Sequence, residues 1–188
     1  MKRRFNVTGS CNPQWHYMVR LDDRVKKIKE EYVDYGSYFV INRGRQYGKT
    51  TTLRALAKYL QEDYIVFSLD FQQMGTQSFT EEKTFARGFL DRLLAELRKA
   101  DTEDKVKIRE MLSNFKENHP DVIMDELFMF LSNMCERCEH PIVLMIDEVD
   151  SASNNQVFID FLAQLRGYYL RREDTPTFHS VILAGVYS

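Results

Sequence analysis

Arg43-Gly44-Arg45-Gln46-Tyr47-Gly48-Lys49-Thr50 is the stretch on which the reading of this 188-residue chain turns. Ahead of it, Ser37-Tyr38-Phe39-Val40-Ile41 is a short apolar, β-prone run, so the chain arrives as a strand. Behind it, Leu53, Leu56, Ala57 and Leu60 recur at helical spacing, so a helix leaves from near Thr50. A loop wrapped onto a helix N-terminus turns unpaired backbone N–H groups toward one point. Triphosphate is an anion that such a nest fits well. In this reading Arg45, Gln46, Tyr47, Gly48, Lys49, Thr50 and Thr51 hold the nucleotide. Gly48 lets the backbone come close, Lys49 reaches the β- and γ-phosphates, and the Thr50 hydroxyl ligates Mg²⁺.

The loop departs from the usual pattern. G-x-x-x-x-G-K-[ST] calls for glycine at position 43, where this chain has Arg43, with Gly44 one step later. Gly-Lys-Thr alone recurs by chance, and a basic turn capping a helix is the plain alternative. Independent support comes from Ile142-Val143-Leu144-Met145-Ile146-Asp147-Glu148, a buried apolar strand that ends in two carboxylates. A strand end needs no paired acids, whereas a Mg²⁺-nucleotide site does. Asp147 would hold the ion through its water shell, and Glu148 would polarise the attacking water as general base. The plain alternative is a solvated acidic turn, with Asp150 nearby.

Working outward, residues 1–20 are irregular, and 21–34 read as a helix through Leu21, Val25, Ile28 and Tyr32, with Asp22 and Asp23 favouring its start. A second strand is expected at 64–69, helices at roughly 80–99, 103–116 and 121–138, and a strand at 142–146. A helix at 156–170 and a fourth strand at 179–186 complete the pass. Val122, Leu127, Phe130, Leu131 and Met134 make a broad apolar face that reads as core. Apolar strands separated by helices indicate a parallel sheet covered on both faces. The expectation is one α/β domain over 1–188, with an N-terminal segment and helix to residue 36 and the core from 37.

The bulk composition narrows the classes. The chain is 44% hydrophobic and 29% charged, the globular range. Its 26 basic and 28 acidic residues give a formal charge of -2, which lends nucleic-acid binding no support and leaves a local basic patch open. Met1-Lys2-Arg3-Arg4 is followed by no apolar run, so no signal peptide is read, and no segment approaches the roughly 20 apolar residues that span a bilayer. A cytoplasmic protein with no membrane contact is expected. Cys135 and Cys138 form a C-x-x-C pair near His140, but the remaining cysteine, Cys11, is distant, and ordinary thiols are expected.

With both motifs in place, the chain resembles the prokaryotic AAA-like P-loop ATPases, within the additional-strand class that includes AAA+ and STAND ATPases. The resemblance is carried by Tyr17-Met18-Val19, the loop from Asn42 to Thr50, Asp147-Glu148, and Ser180-Val181-Ile182-Leu183-Ala184-Gly185-Val186-Tyr187. It implies a three-layer α/β/α fold with a mostly parallel sheet, the fourth strand lying between the loop strand and the Asp-Glu strand. It also implies a sensor at the end of that strand, here Tyr187-Ser188. Relatives continue into a fifth strand and a C-terminal subdomain, which this sequence is expected to lack. Tyr17 and Met18 become candidates for adenine contact, and Arg166, Arg171 and Arg172 for an arginine finger acting across subunits. The function implied is a Mg-ATP-dependent ATPase or switch, with Glu148 and Lys49 catalytic and a protein partner or self-association as its target. A nucleotide-binding scaffold with little hydrolysis and a P-loop small-molecule kinase are the alternatives. No Asn-Lys-x-Asp segment for reading guanine is present.

Overall fold

Alternation within the strands assigns the two faces of the sheet. In the computed structural model, which describes residues 21–42 and 48–185, four strands form one sheet: β1 (Tyr38–Asn42), β2 (Ile65–Asp70), β3 (Ile142–Asp147) and β4 (Ser180–Gly185). Ile65, Phe67, Leu69, Ile142, Leu144, Ile146 and Val181 enter one buried cluster, while Val66, Val143, Met145, Ile182 and Ala184 enter the other. Each strand thus feeds two cores with period two. The first cluster is covered by α3 (Glu82–Glu96), α4 (Glu103–Asn118), α5 (Met124–Glu136) and α6 (Gln156–Leu170). The second is covered by α1 (Asp22–Ile28) and α2 (Lys49–Leu60). The result is a three-layer α/β/α fold.

All strand pairings are parallel and the order is β1-β4-β3-β2. The sheet is therefore wholly parallel, and β4 lies between the loop strand and the Asp-Glu strand as the resemblance implied. β3 is buried along its whole length, which explains why it reads as a continuous apolar run. β1 is an edge strand of the described sheet, and Val40 on it is exposed.

Most boundaries fall within a few residues of the sequence reading. The exceptions are short turns. After α1 the chain widens into a π-helical turn, Lys29–Val33, inside the span read as one helix. After β2 come two 3₁₀ turns, Phe71–Gln73 and Thr76–Phe79. Phe71 and Phe79 join Phe85, Phe158 and Phe161 in a packed ring cluster, fixing those turns against α3 and α6. Val122, Leu127, Leu131 and Met134 are buried, with Phe130 packed against the same core.

At the opposite edge from the β-strand C-termini, Asp104 pins the 139–140 loop to the head of α4. Its Oδ2 accepts from the His140 backbone N–H at 3.0 Å and lies 2.9 Å from His140 Nδ1, while Oδ1 accepts from the Glu139 N–H at 3.3 Å. Burial alone would raise this carboxyl, but hydrogen bonds from His140 and then Glu139 outweigh it and hold the pKa below the usual aspartate value. A lowered folded-state pKa contributes stability that is complete above the ordinary aspartate range and fades as pH falls through the lowered value. Asp104→Asn is therefore expected to lose about 1–3 kcal/mol at neutral pH. Urea unfolding should show this gap narrowing at acid pH; a gap unchanged with pH would contradict the assignment.

Candidate functional site

The site forms where the chain leaves β1 and β3. Gly48 caps α2 with left-handed backbone angles, φ 71° and ψ 26°. A Cβ on Gly48 would meet nothing within 4 Å among the described residues, and the positive φ is what favours glycine here. Thr52 Oγ1 donates back to the Gly48 carbonyl at 3.0 Å, closing the first turn. Lys49 and Thr50 follow as the first residues of the helix.

These two side chains meet the end of β3 across the tip of β4. Thr50 Oγ1 donates to Asp147 Oδ2 at 2.9 Å, and Asp147 Oδ1 accepts from the Glu148 backbone N–H at 2.9 Å. Lys49 Nζ stands 3.7 Å from Asp147 Oδ1 and 3.5 Å from Glu148 Oε1. Lys49 is only 8% exposed, yet its ammonium has no hydrogen-bond partner among the described residues. Two carboxylates attract it, neither in a position to accept a hydrogen bond. A buried ammonium with unspent donors is costly unless something accepts from it.

Glu148 is the only non-glycine residue with positive φ among those described, at φ 58° and ψ 39°. This conformation costs about 1–2 kcal/mol for a residue bearing a Cβ. The Ser151 N–H and Ser151 Oγ both donate to the Glu148 carbonyl, at 3.1 and 2.7 Å, and hold the turn Val149–Ala152 that follows. Strain at a carboxylate beside a buried lysine is the kind found at functional sites.

Of the residues expected to act, Lys49, Thr50, Asp147 and Glu148 are brought together, and Thr51 lies in the same helical turn. Arg45, Gln46, Tyr47, Tyr17 and Met18 lie outside the described residues, as do Tyr187 and Ser188. Arg171 and Arg172 stand at the far end of α6, where Tyr169 packs on Tyr38 at the start of β1 with ring centroids 4.3 Å apart. They are thus remote from the chain's own Lys49 cluster. Among the described residues, no group of three or more His, Cys, Asp or Glu could hold a metal. The C-x-x-C thiols are free and held toward the protonated form. Burial pushes Cys135 far up, and burial followed by the nearby Asp104 charge pushes Cys138 up to about 11.

Two features of the site escaped the sequence reading. Asp70 lies opposite Asp147 in the strand register, but its oxygens accept from Gln72 N–H and Gln73 Nε2 and cap the turn after β2. Gly185, at the tip of β4, lets the turn after Glu148 lie against the strand. A glycine inside a strand pattern is a signal for such close approach.

Fold and site together define a P-loop-like α/β/α class, with a helix-capping glycine, a buried lysine and a strand-end carboxylate pair. A family model described as AAA-like domain matches residues 9–188, and the chain belongs to that family. The assignment points to a nucleotide-binding domain of the ATPase type. No curated protein matches the chain. No helix among the described residues is long and apolar enough to cross a membrane.

Proposed function

We propose that this chain binds Mg-ATP at Lys49, Thr50, Asp147 and Glu148 and hydrolyses it, or cycles between nucleotide states, to control a protein partner or self-association. The observation that carries this reading is the buried Lys49 ammonium, which faces Asp147 and Glu148 and has no hydrogen-bond partner among the described residues. Phosphate oxygens supply the acceptors it lacks. The position of β4 between β1 and β3 supports placing the chain with the additional-strand ATPases.

The donor set also fits Mg²⁺, an ion usually held by one or two protein oxygens plus substrate phosphates and water. Thr50 Oγ1 and the Asp147 carboxylate are already neighbours at 2.9 Å. When bound there, the ion would neutralise charge on the phosphate oxygens. Asp147 would hold its water shell, and Thr50 would turn its hydroxyl lone pair outward. Lys49 would give up its carboxylate neighbours for phosphate. Glu148, released from Lys49, would accept a proton from the attacking water at Oε1 or Oε2.

An Asp-Glu pair with one carboxylate left for proton abstraction favours activated water over a substrate hydroxyl, which places the kinase alternative second. Isothermal titration with ATP, ADP and GTP in the presence of Mg²⁺ tests binding, and phosphate release under saturating ATP tests hydrolysis. Binding without release would leave a nucleotide-dependent scaffold. Absence of any nucleotide binding by the wild type would sink the proposal.

A further inference from the structure

The tip of β4 lies so close to the turn after Glu148 that an added Cβ would crowd two of its side chains. Gly185 is buried and pairs with Asn42 in the β1 register. A Cβ built on it would lie 2.9 Å from Val149 Cγ2 and 3.0 Å from Asp150 Oδ1, with the Asp150 backbone nitrogen at 3.4 Å. Val149 and Asp150 are the two residues directly after Glu148. Val149 is 4% exposed and belongs to the main core, so it has little room to yield. The Asp150 carboxylate can rotate aside, but the Val149 methyl is held in the core, so an added methyl pushes through Val149 on the turn Val149–Ala152.

Such a displacement reaches Glu148 through one peptide bond. The residue sits in a left-handed conformation that the surrounding turn must impose, because an ordinary side chain disfavours it. Its carbonyl is clamped by Ser151, and its Oε1 faces Lys49 at 3.5 Å. We infer that Gly185 is a positioning residue for Glu148: its missing side chain seats the post-β3 turn against β4 and so sets where the carboxylate points. The inference rests on the proposed role of Glu148 as general base. It assigns to the β4 tip a steric function within the backbone, separate from any polar group beyond it.

The test compares wild type, Gly185→Ala, Val149→Ala and the double variant. Val149→Ala removes the methyl nearest the added Cβ. Gly185→Ala is expected to lower phosphate release at saturating Mg-ATP about tenfold or more while leaving KM within about twofold, because a displaced base loses rate and not binding. The double variant is expected to regain most of that rate relative to Val149→Ala alone. Amide hydrogen exchange supplies an arm that needs no turnover: exchange at Ser151 and Ser153, whose N–H groups bond within this turn, should quicken in Gly185→Ala and recover in the double variant. Wild-type turnover with an unaltered Gly185→Ala rate would overturn the inference. So would exchange that is unchanged at the turn, or quickened uniformly along the chain with a lowered Tm. If the wild type binds nucleotide but releases no phosphate, the hydrolysis proposal fails alone, and the exchange arm still decides whether Gly185 seats the Glu148 turn.

Discussion

Replacing Lys49 with alanine is expected to weaken Mg-ATP binding by roughly 10- to 100-fold, the effect of losing one or two charge-assisted hydrogen bonds to phosphate. The size follows from burial. Lys49 is 8% exposed and already desolvated, so bound phosphate gains a full ionic partner without a fresh desolvation cost on the protein side. A surface lysine would give far less. The same change removes the cation that stands between Asp147 and Glu148 and lessens the repulsion of these two carboxylates. The nucleotide-free variant should therefore also unfold at a lower temperature. Titration calorimetry reads the first effect and thermal unfolding the second. An affinity within twofold of wild type would remove Lys49 from the phosphate site.

The second large effect is expected at Glu148. Glu148→Gln keeps the shape and hydrogen-bonding reach but cannot take a proton at neutral pH, so phosphate release should fall about 10²- to 10⁴-fold. Nucleotide binding should persist. Without Mg²⁺, ADP should bind more tightly to this variant than to wild type, because phosphate then competes with one fewer carboxylate for Lys49. Glu148→Gly should abolish release just as fully. Its stability should nevertheless stay within about 1 kcal/mol of wild type, since glycine relieves the positive-φ cost while losing backbone entropy. Turnover that survives Glu148→Gln would assign the base to another group.

The contrast between those two variants shows which parts of the site a reader of the sequence could find. Asp147-Glu148 stands out because an apolar run that ends in two acids breaks the economy of a buried strand. Gly48-Lys49-Thr50 stands out because a glycine sits between a strand and a helix. Neither stretch says that Glu148 is left-handed, because φ at one residue is imposed by Ser151 and by packing on β4. Nor could Asp104 be told from any acid in a helix's first turn, since its partners Glu139 and His140 come from a loop some 35 residues away. The turns Phe71–Gln73 and Thr76–Phe79 were similarly silent: three or four residues are too few to display a period.

By itself the sequence determined the elements and the chemistry they carry. Apolar period sets the strands and helices, and covalent order places Lys49 and Thr50 after one strand and Asp147 and Glu148 after another. These are local properties, written in side-chain spacing and burial preference. The strand order followed from family resemblance and not from any pattern in the strands, because parallel apolar strands are nearly interchangeable in composition. Only the tertiary structure decided what depends on distance between remote segments: that the Lys49 ammonium is buried between two carboxylates with no hydrogen-bond partner among the described residues, and that Gly185 leaves room for the turn holding Glu148. The physical reason is that contacts across about 100 residues are fixed by close packing of the whole domain, where one methyl group is felt.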